Sequence, residues 1–247
     1  MKLSVVIPAR DEEGSIMQTI DGVVAVMERE QIEYEVLVID DGSKDATRHL
    51  VERAGDDNPN IRCRPSPYSG GFGLAVRAGL EEFTGDGVAI MMADKSDDPE
   101  DLVMYHHILE QGWDCAFGSR FMPGAVVKDY PRVKLVVNRM ANAFVHPPFR
   151  LRYNDTTHAL NAYRREVIET IGPLLSKHFN LTVEMPLKAV TRGHSFKVVP
   201  TSWTNRTSGE AKLAMREMGS RYLFIVLYIW LEYHLSRGDY RKAEGSG

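Results

Sequence analysis

The sequence predicts an α/β protein built on a mostly parallel sheet flanked by helices. Short apolar runs alternate with segments of helical periodicity through its first half. Acidic and other polar residues fall just after successive apolar runs, where open α/β sheets bind their ligands. The composition, 43% hydrophobic and 26% charged over 247 residues, suits one large core.

Leu3 to Ile7, closed by Pro8, reads as a buried strand, and Glu13 to Glu30 carries apolar positions at helical spacing. Tyr34 to Ile39 is a second buried strand, ending at Asp40-Asp41-Gly42-Ser43, and Ala46 to Ala54 follows as a helix. Ile61 to Arg64 is a short third strand, Leu74 to Phe83 a helix and Gly87 to Met92 a fourth strand. Beyond these come a strand at Cys115 to Gly118, a helix from Lys134 to Val145, mixed structure from Arg150 to Tyr163, and helices at Arg165 to Ile171 and Leu181 to Thr191. Phe196 to Val199 and Ser202 to Thr204 are strand segments.

The C-terminal run Tyr222 to Leu231 is ten apolar residues, half of the roughly 20 that span a bilayer. Arg216, Arg221, Arg237, Arg241 and Lys242 bracket it, and Tyr222, Tyr228, Trp230 and Tyr233 supply interfacial aromatics. It reads as a helix lying on a membrane surface; the alternative is a helix packed on the core or at a homodimer interface. Gly245-Ser246-Gly247 reads as a tag-derived tail.

A net charge of −4 argues against a nucleic-acid-binding surface. Two distant cysteines, Cys63 and Cys115, suit a reducing cytoplasm and no zinc or disulfide framework, and no signal peptide is visible. His106-His107 is read as structural, with no metal expected, and Glu184 and Lys188, one helical turn apart, as a surface pair.

The strand ends concentrate the chemistry. Arg10-Asp11-Glu12 follows the first strand, Asp40-Asp41 the second and Asp94 the fourth. Carboxylates so placed can accept hydrogen bonds from a nucleotide's base and ribose, as Glu12 and Asp41 would, or hold a divalent cation, Mg²⁺ or Mn²⁺, that bridges phosphates. Taken alone, Asp40 to Ser43 is a turn with a cap at Ser43 or Asp45; Glu12 and Asp94 at sister positions tip the balance to a ligand site. Ser69-Gly70-Gly71-Phe72-Gly73, before a helix, lets backbone approach a phosphate or sugar, and GxGxxG is absent.

VVIPARDEEGSI (5–16), VLVIDDGSKDAT (36–47), GGFGLAVRAGL (70–80), GDGVAIMMAD (85–94), FGSRFMPG (117–124) and NRTSGEAK (205–212) together resemble family-2 glycosyltransferases of the Rossmann-like GT-A fold. The branch they resemble contains dolichol-phosphate mannose synthase and bacterial polyprenyl-phosphate sugar synthases. The resemblance implies nucleotide-sugar binding by Pro8, Arg10, Glu12, Ile39 and Asp41, with Gly70 beside them. It places the metal motif at Met92-Ala93-Asp94, with Ser96 a further ligand position. It also implies that Arg120, Lys134, Arg206 and Lys212 clasp the donor diphosphate and the acceptor phosphate, with Asn138 at the acceptor. Residues 1–212 would form the transferase domain, 213–242 a membrane-interfacial segment and 243–247 the tail.

Two departures stand out. Met92 replaces the family's first metal aspartate, with Asp97 or Asp98 near enough in sequence to compensate. The family's Ser-Gly-Phe-Arg stretch is His158-Ala159-Leu160-Asn161, which points to a donor or acceptor unlike mannose and dolichol, with His158 against a sugar hydroxyl or in a packing role.

The expected function is inverting transfer of a hexose or N-acetylhexosamine from a nucleotide-diphosphate sugar to a polyprenyl phosphate at the cytoplasmic membrane face. Beside it stand transfer to a hydroxyl acceptor, with Asp97, Asp98 or Asp155 as base, and a degenerate nucleotide-binding scaffold, supported by Met92.

Overall fold

The computed structural model describes residues 1–149, 151, 153–205, 215–236 and 238–241. Its elements are β1 (Leu3–Ala9), α1 (Ile16–Arg29), β2 (Tyr34–Asp40), α2 (Thr47–Asp57), β3 (Ile61–Pro65), α3 (Phe72–Glu82), β4 (Gly87–Ile90) and α4 (Glu100–Glu110). They continue with β5 (Cys115–Ser119), β6 (Val126–Lys128), α5 (Arg132–Phe149), β7 (Asn161–Arg164), α6 (Arg165–Thr170), α7 (Leu181–Thr191), β8 (Phe196–Pro200), β9 (Ser202–Thr204) and α8 (Met215–Leu235).

A seven-stranded sheet runs β3-β2-β1-β4-β7-β5-β8, with β6 and β9 paired separately. Every pair in the large sheet is parallel except those of β7, which is antiparallel to both β4 and β5. The parallel strands read as unbroken apolar runs because both of their faces are covered. Side chains alternate between the faces: Leu3, Val5 and Ile7 join Val36 and Val38 under α1 and α4. Val6, Leu37 and Ile39 join Val88, Ile90 and Phe117 under α3 and α7.

The expected elements are present with shifted ends, and three more, β6, β7 and α4, are added to them. Asn161 to Arg164 was left in mixed structure because four residues with polar ends carry too little pattern to announce a strand. The helix α4 was not delimited because His and acidic residues interrupt its apolar stripe. The fourth strand stops at Ile90 rather than Met92, and α5 extends beyond its predicted ends to take in Pro147 and Pro148.

The long helix α8 packs one stripe, Ile225, Val226 and Ile229, against Val183 and Leu187 of α7 and Val145 and Phe149 of α5. Its other face leaves Leu223, Phe224, Leu227, Trp230 and Leu231 exposed. The segment is a helix packed on the core, the alternative reading of the sequence, with an apolar outer face. Among the described residues no helix is long and apolar enough to cross a membrane.

The Glu184–Lys188 pair is a correction. Its nitrogen and oxygen lie 2.9 Å apart with both side chains fully buried, because α7 is enclosed by the sheet, the preceding loop and α8. Glu184 accepts the backbone N–H groups of Leu175 and Ser176, each at 2.7 Å, and Lys188 donates to the Pro173 carbonyl. A buried ion pair is tolerable only when its remaining polar valences are met in this way.

Phe117 sits at the centre of an aromatic cluster, with ring centroids 5.0 Å from Tyr153, 5.4 Å from Phe196 and 5.7 Å from Tyr163. Phe117→Ala should destabilise the fold by about 3–5 kcal/mol. Denaturant unfolding checks it, with a loss under about 1 kcal/mol contradicting this packing.

Candidate active site

The ends of β1 and β2 converge with the glycine loop before α3. Asp40 and Asp41 divide the two roles that the sequence left in competition. Asp40 Oδ1 accepts the Ser43 N–H at 3.1 Å and so shapes the turn. Asp41 faces the crevice: Oδ2 accepts the Gly71 N–H at 2.8 Å, while Oδ1 is buried with no hydrogen-bond partner. An orphaned buried carboxylate oxygen is costly unless a ligand N–H or O–H meets it.

Arg10 Nη1 lies 3.8 Å from Asp41 Oδ2, and a Cβ on Gly70 would fall 3.4 Å from that same Nη1. Gly70 has φ +95° and Gly71 φ +133°; a side chain at Gly71 would meet the Lys177 carbonyl at 2.5 Å. Only glycine fits there. Pro8 and Ile39 are buried strand residues beneath this corner, shaping it rather than reaching into it. Glu12 lies just before α1, its Oε2 accepting the Ser15 hydroxyl at 2.9 Å.

After β4 the chain turns sharply, with Lys95 at φ +63°. Asp94 is half-buried, and its Oδ1 accepts the Ser96 N–H at 3.1 Å. Ala93 is pinned to α1 through a 3.0 Å bond from the Thr19 hydroxyl to its carbonyl. Both proposed compensating carboxylates hold backbone N–H groups. Asp97 is buried and accepts the Met92 N–H at 3.0 Å, and Asp98 accepts the Glu100 N–H at 3.1 Å at the start of α4. Burial, with the nearby charge of Asp94, pushes the Asp97 carboxyl up to about 7. One carboxylate, Asp94, beside the buried Ser96 fits a hard cation that takes its other ligands from phosphates and water, the habit of Mg²⁺.

The second half of the site gathers around Arg120, at the end of β5. Its Nε and Nη2 donate to the two carboxylate oxygens of Asp155, each at 2.8 Å, and its backbone N–H adds a third bond at 3.0 Å. Nη2 also reaches the Thr157 hydroxyl at 3.1 Å. The guanidinium is ringed by Phe121, Tyr130 and Trp203, with centroids 5.5, 5.6 and 5.8 Å away. Lys134 Nζ stands 4.7 Å from the Trp203 centroid, and Asn138 donates to the Tyr130 hydroxyl. Arg120, Lys134 and Asn138 thus meet on one aromatic pair, Tyr130 and Trp203, whose rings cross edge to face at 4.9 Å.

Neither aromatic was singled out from the sequence, although Trp203 stands three residues before Arg206. Trp203 also ties the two halves together: it bridges to Asp97, and the next residue, Thr204, donates its N–H to the Ser96 carbonyl at 2.9 Å. Arg206 and Lys212 fall outside the described residues.

Two expectations change. Asp155 has no exposed surface, and the Arg120 guanidinium holds its carboxyl below the usual range against the opposing effect of burial. It cannot serve as a base for a hydroxyl acceptor. His158 is 1% exposed, and burial, reinforced by the Arg120 charge, pushes it down to about 3. It is a neutral packing residue beside the Thr201 hydroxyl, 3.3 Å away, with no face for a sugar.

Removing one member of the buried Arg120–Asp155 pair strands the other, so Asp155→Ala should cost about 3–5 kcal/mol. Because the Asp155 carboxyl is depressed in the folded state, its contribution is complete above about pH 4 and is lost as pH falls through the folded value. Urea unfolding between acid and neutral pH should show a flatter acid limb in the variant.

Comparison with known proteins assigns the family and the fold. The model of the family described as glycosyl transferase family 2 matches residues 4–172. A polyprenol monophosphomannose synthase of Mycolicibacterium smegmatis is 32% identical over 187 residues, covering 72% of this chain and 70% of that protein. A dolichol-phosphate mannosyltransferase of Pyrococcus furiosus is 28% identical over 218 residues; the match covers 86% of this chain and 59% of that protein's length. Glucosyl-3-phosphoglycerate synthase from Mycobacterium tuberculosis, solved with Mg²⁺ and UDP, superposes with a TM-score of 0.69 at 19% identity, over 94% of this chain and 79% of that one. The same enzyme has been solved with Mn²⁺, UDP-glucose and glycerol 3-phosphate, at the same TM-score and coverage. That likeness establishes the GT-A-type fold, and the family match establishes the rest: the chain belongs to glycosyl transferase family 2 and is a glycosyltransferase.

Proposed function

We propose that this enzyme transfers a hexose or N-acetylhexosamine from a nucleotide-diphosphate sugar to a polyprenyl phosphate at the cytoplasmic face of a membrane, with inversion. The relatives named as polyprenol and dolichol-phosphate synthases support the acceptor class. The observation that carries the reading is the two-sided character of α5. One side brings Lys134, Asn138 and the buried Asn142 to the Arg120 cluster, where Asn142 holds the Thr156 N–H at 2.7 Å. The other side exposes Val133, Val136, Val137, Met140 and Phe144. A helix that offers cations inward and an apolar stripe outward suits a phosphate on a lipid tail. The exposed apolar face of α8 lies on the adjoining helix, since α5, α7 and α8 share one cluster of buried side chains.

The acceptor is already an anion at neutral pH, so the reaction needs alignment and charge neutralisation rather than a general base. Asp155 fixes one edge of the Arg120 fork and the aromatic ring fixes its plane, so the cation is oriented before substrate arrives. Lys134 adds a second positive charge beside it, and Arg206 and Lys212 are assigned to complete the clasp. On the donor side, Asp41 receives the ribose or base, with Arg10, Glu12 and the Gly70 loop around it, while Pro8, Ile39, Met92 and Ala93 form its floor. Asp94 and Ser96 would hold a divalent cation, which would supply positive charge to neutralise the departing diphosphate. Residues 1–212 form the catalytic domain, and 213–242 the segment that seats it on the membrane. The hydroxyl-acceptor alternative loses support, because Asp155 and Asp97 are both buried and engaged and Asp98 accepts the Glu100 N–H at the start of α4.

The test is transfer of labelled sugar from UDP-, GDP- and TDP-sugars to a short-chain polyprenyl phosphate with Mg²⁺ or Mn²⁺. Lys134→Ala should lower kcat/KM for the lipid phosphate by about 10²-fold while the donor KM holds. Transfer to hydroxyl acceptors alone would overturn the reading. For the membrane face, Val136→Glu combined with Phe144→Glu and Leu227→Glu should abolish co-sedimentation with liposomes while activity on a water-soluble short-chain acceptor persists. Unchanged co-sedimentation would place the lipid contact elsewhere.

A further inference from the structure

The last turn of α4 carries a cluster that the transferase reading does not use. His106, His107 and Glu110 bring one ligand atom each to within 4.8 Å of one another. Glu110 is one turn from His106 and three residues from His107, so it faces both. The sequence reading expects no metal at His106-His107, and two adjacent histidines on a helix point about 100° apart. The fold supplies what the spacing does not.

His106 is held by the start of the chain. Its Nε2 lies 2.9 Å from the Met1 carbonyl oxygen. A carbonyl only accepts, so Nε2 carries the proton and Nδ1 presents a lone pair. That Nδ1 is buried without a hydrogen-bond partner, on a side chain only 6% exposed. It points at Glu110 Oε2, 3.6 Å away, too long for a hydrogen bond. The other carboxylate oxygen, Oε1, stands 3.6 Å from the Met1 amino nitrogen.

A cation between these two acceptors, 3.6 Å apart, would satisfy both. A zinc-like ion sits about 2.0–2.1 Å from nitrogen and oxygen ligands, which at tetrahedral angles sets them about 3.4 Å apart. A ligating histidine characteristically donates its other N–H to a backbone carbonyl, as His106 does to Met1. We propose that His106 Nδ1, His107 and Glu110 bind a borderline divalent ion of the Zn²⁺, Co²⁺ and Ni²⁺ class, with water completing the shell. Imidazole ligands favour these over Mg²⁺. Asp94 lies before the first turn of α4 and this cluster in its last, about 15 Å of helix apart, so the ion ties α4 to the start of β1 and takes no part in transfer.

The test is calorimetric titration of the full chain carrying Asp94→Asn, which removes the other candidate cation site, with Zn²⁺, alongside visible absorption with Co²⁺. One equivalent of Zn²⁺ should bind, Co²⁺ should give a ligand-field band, and excess Mg²⁺ should displace neither. Adding Glu110→Gln or His107→Ala should weaken Zn²⁺ by about tenfold or more. Both side chains are exposed, so the melting midpoint without metal should stay unchanged. No Zn²⁺ binding at millimolar concentration, equal affinity in the variants, or displacement by Mg²⁺ would each overturn the site.

Discussion

A guanidinium withdrawn from water must be matched, and the match between Arg120 and Asp155 is the constraint on which the rest of the site depends. It joins the end of β5 to the loop before β7 through three hydrogen bonds to one carboxylate. The loop so fixed presents Thr157 to the guanidinium and Thr156 to Asn142 of α5. One buried charge pair therefore sets the cation, the aromatic ring around it and the helix that brings Lys134. The pair contributes less through net stability than through the single arrangement it enforces, since every alternative strands a buried charge.

A second buried network organises the other flank. Glu184 and Lys188 fasten the segment from Pro173 to Ser176, and that segment abuts the glycine loop, where Gly73 donates its N–H to the Lys177 carbonyl at 3.1 Å. Phe72 and Phe179 stack at 4.2 Å across the same seam. Further along α7's end, Arg192 pairs with Glu232 of α8 at 2.9 Å and donates to the carbonyls of Thr170 and Gly172. Through α7 the glycine loop and the C-terminal helix are thus both held by buried polar contacts. The helix with the apolar outer face is bolted to the domain rather than tethered to it.

Much of this was legible in the residues. Strand ends carry their own signal, because a buried apolar run must stop where polar groups begin, so the positions of Glu12, Asp41 and Asp94 could be placed from spacing alone. Asp155 could not be assigned: its residue type fits a base as well as a partner, and only burial against Arg120 decides. The same holds for His158, whose imidazole is uncharged because of surroundings drawn from β9's approach and β5. Tyr130 and Trp203, far apart in sequence, become a site only when β6 pairs with β9.

Sequence by itself determined the parallel α/β architecture, the crevice at the strand ends and the family, since local apolar periodicity and short motifs survive without knowledge of distant neighbours. Tertiary structure decided everything that depends on burial and on who faces whom. It made Glu184 and Lys188 a core pair, buried Asp97 on the Met92 N–H, and gave α5 and α8 their exposed apolar faces. The physical reason is that desolvation and charge pairing are properties of an environment, and an environment is assembled from residues that the chain order keeps apart.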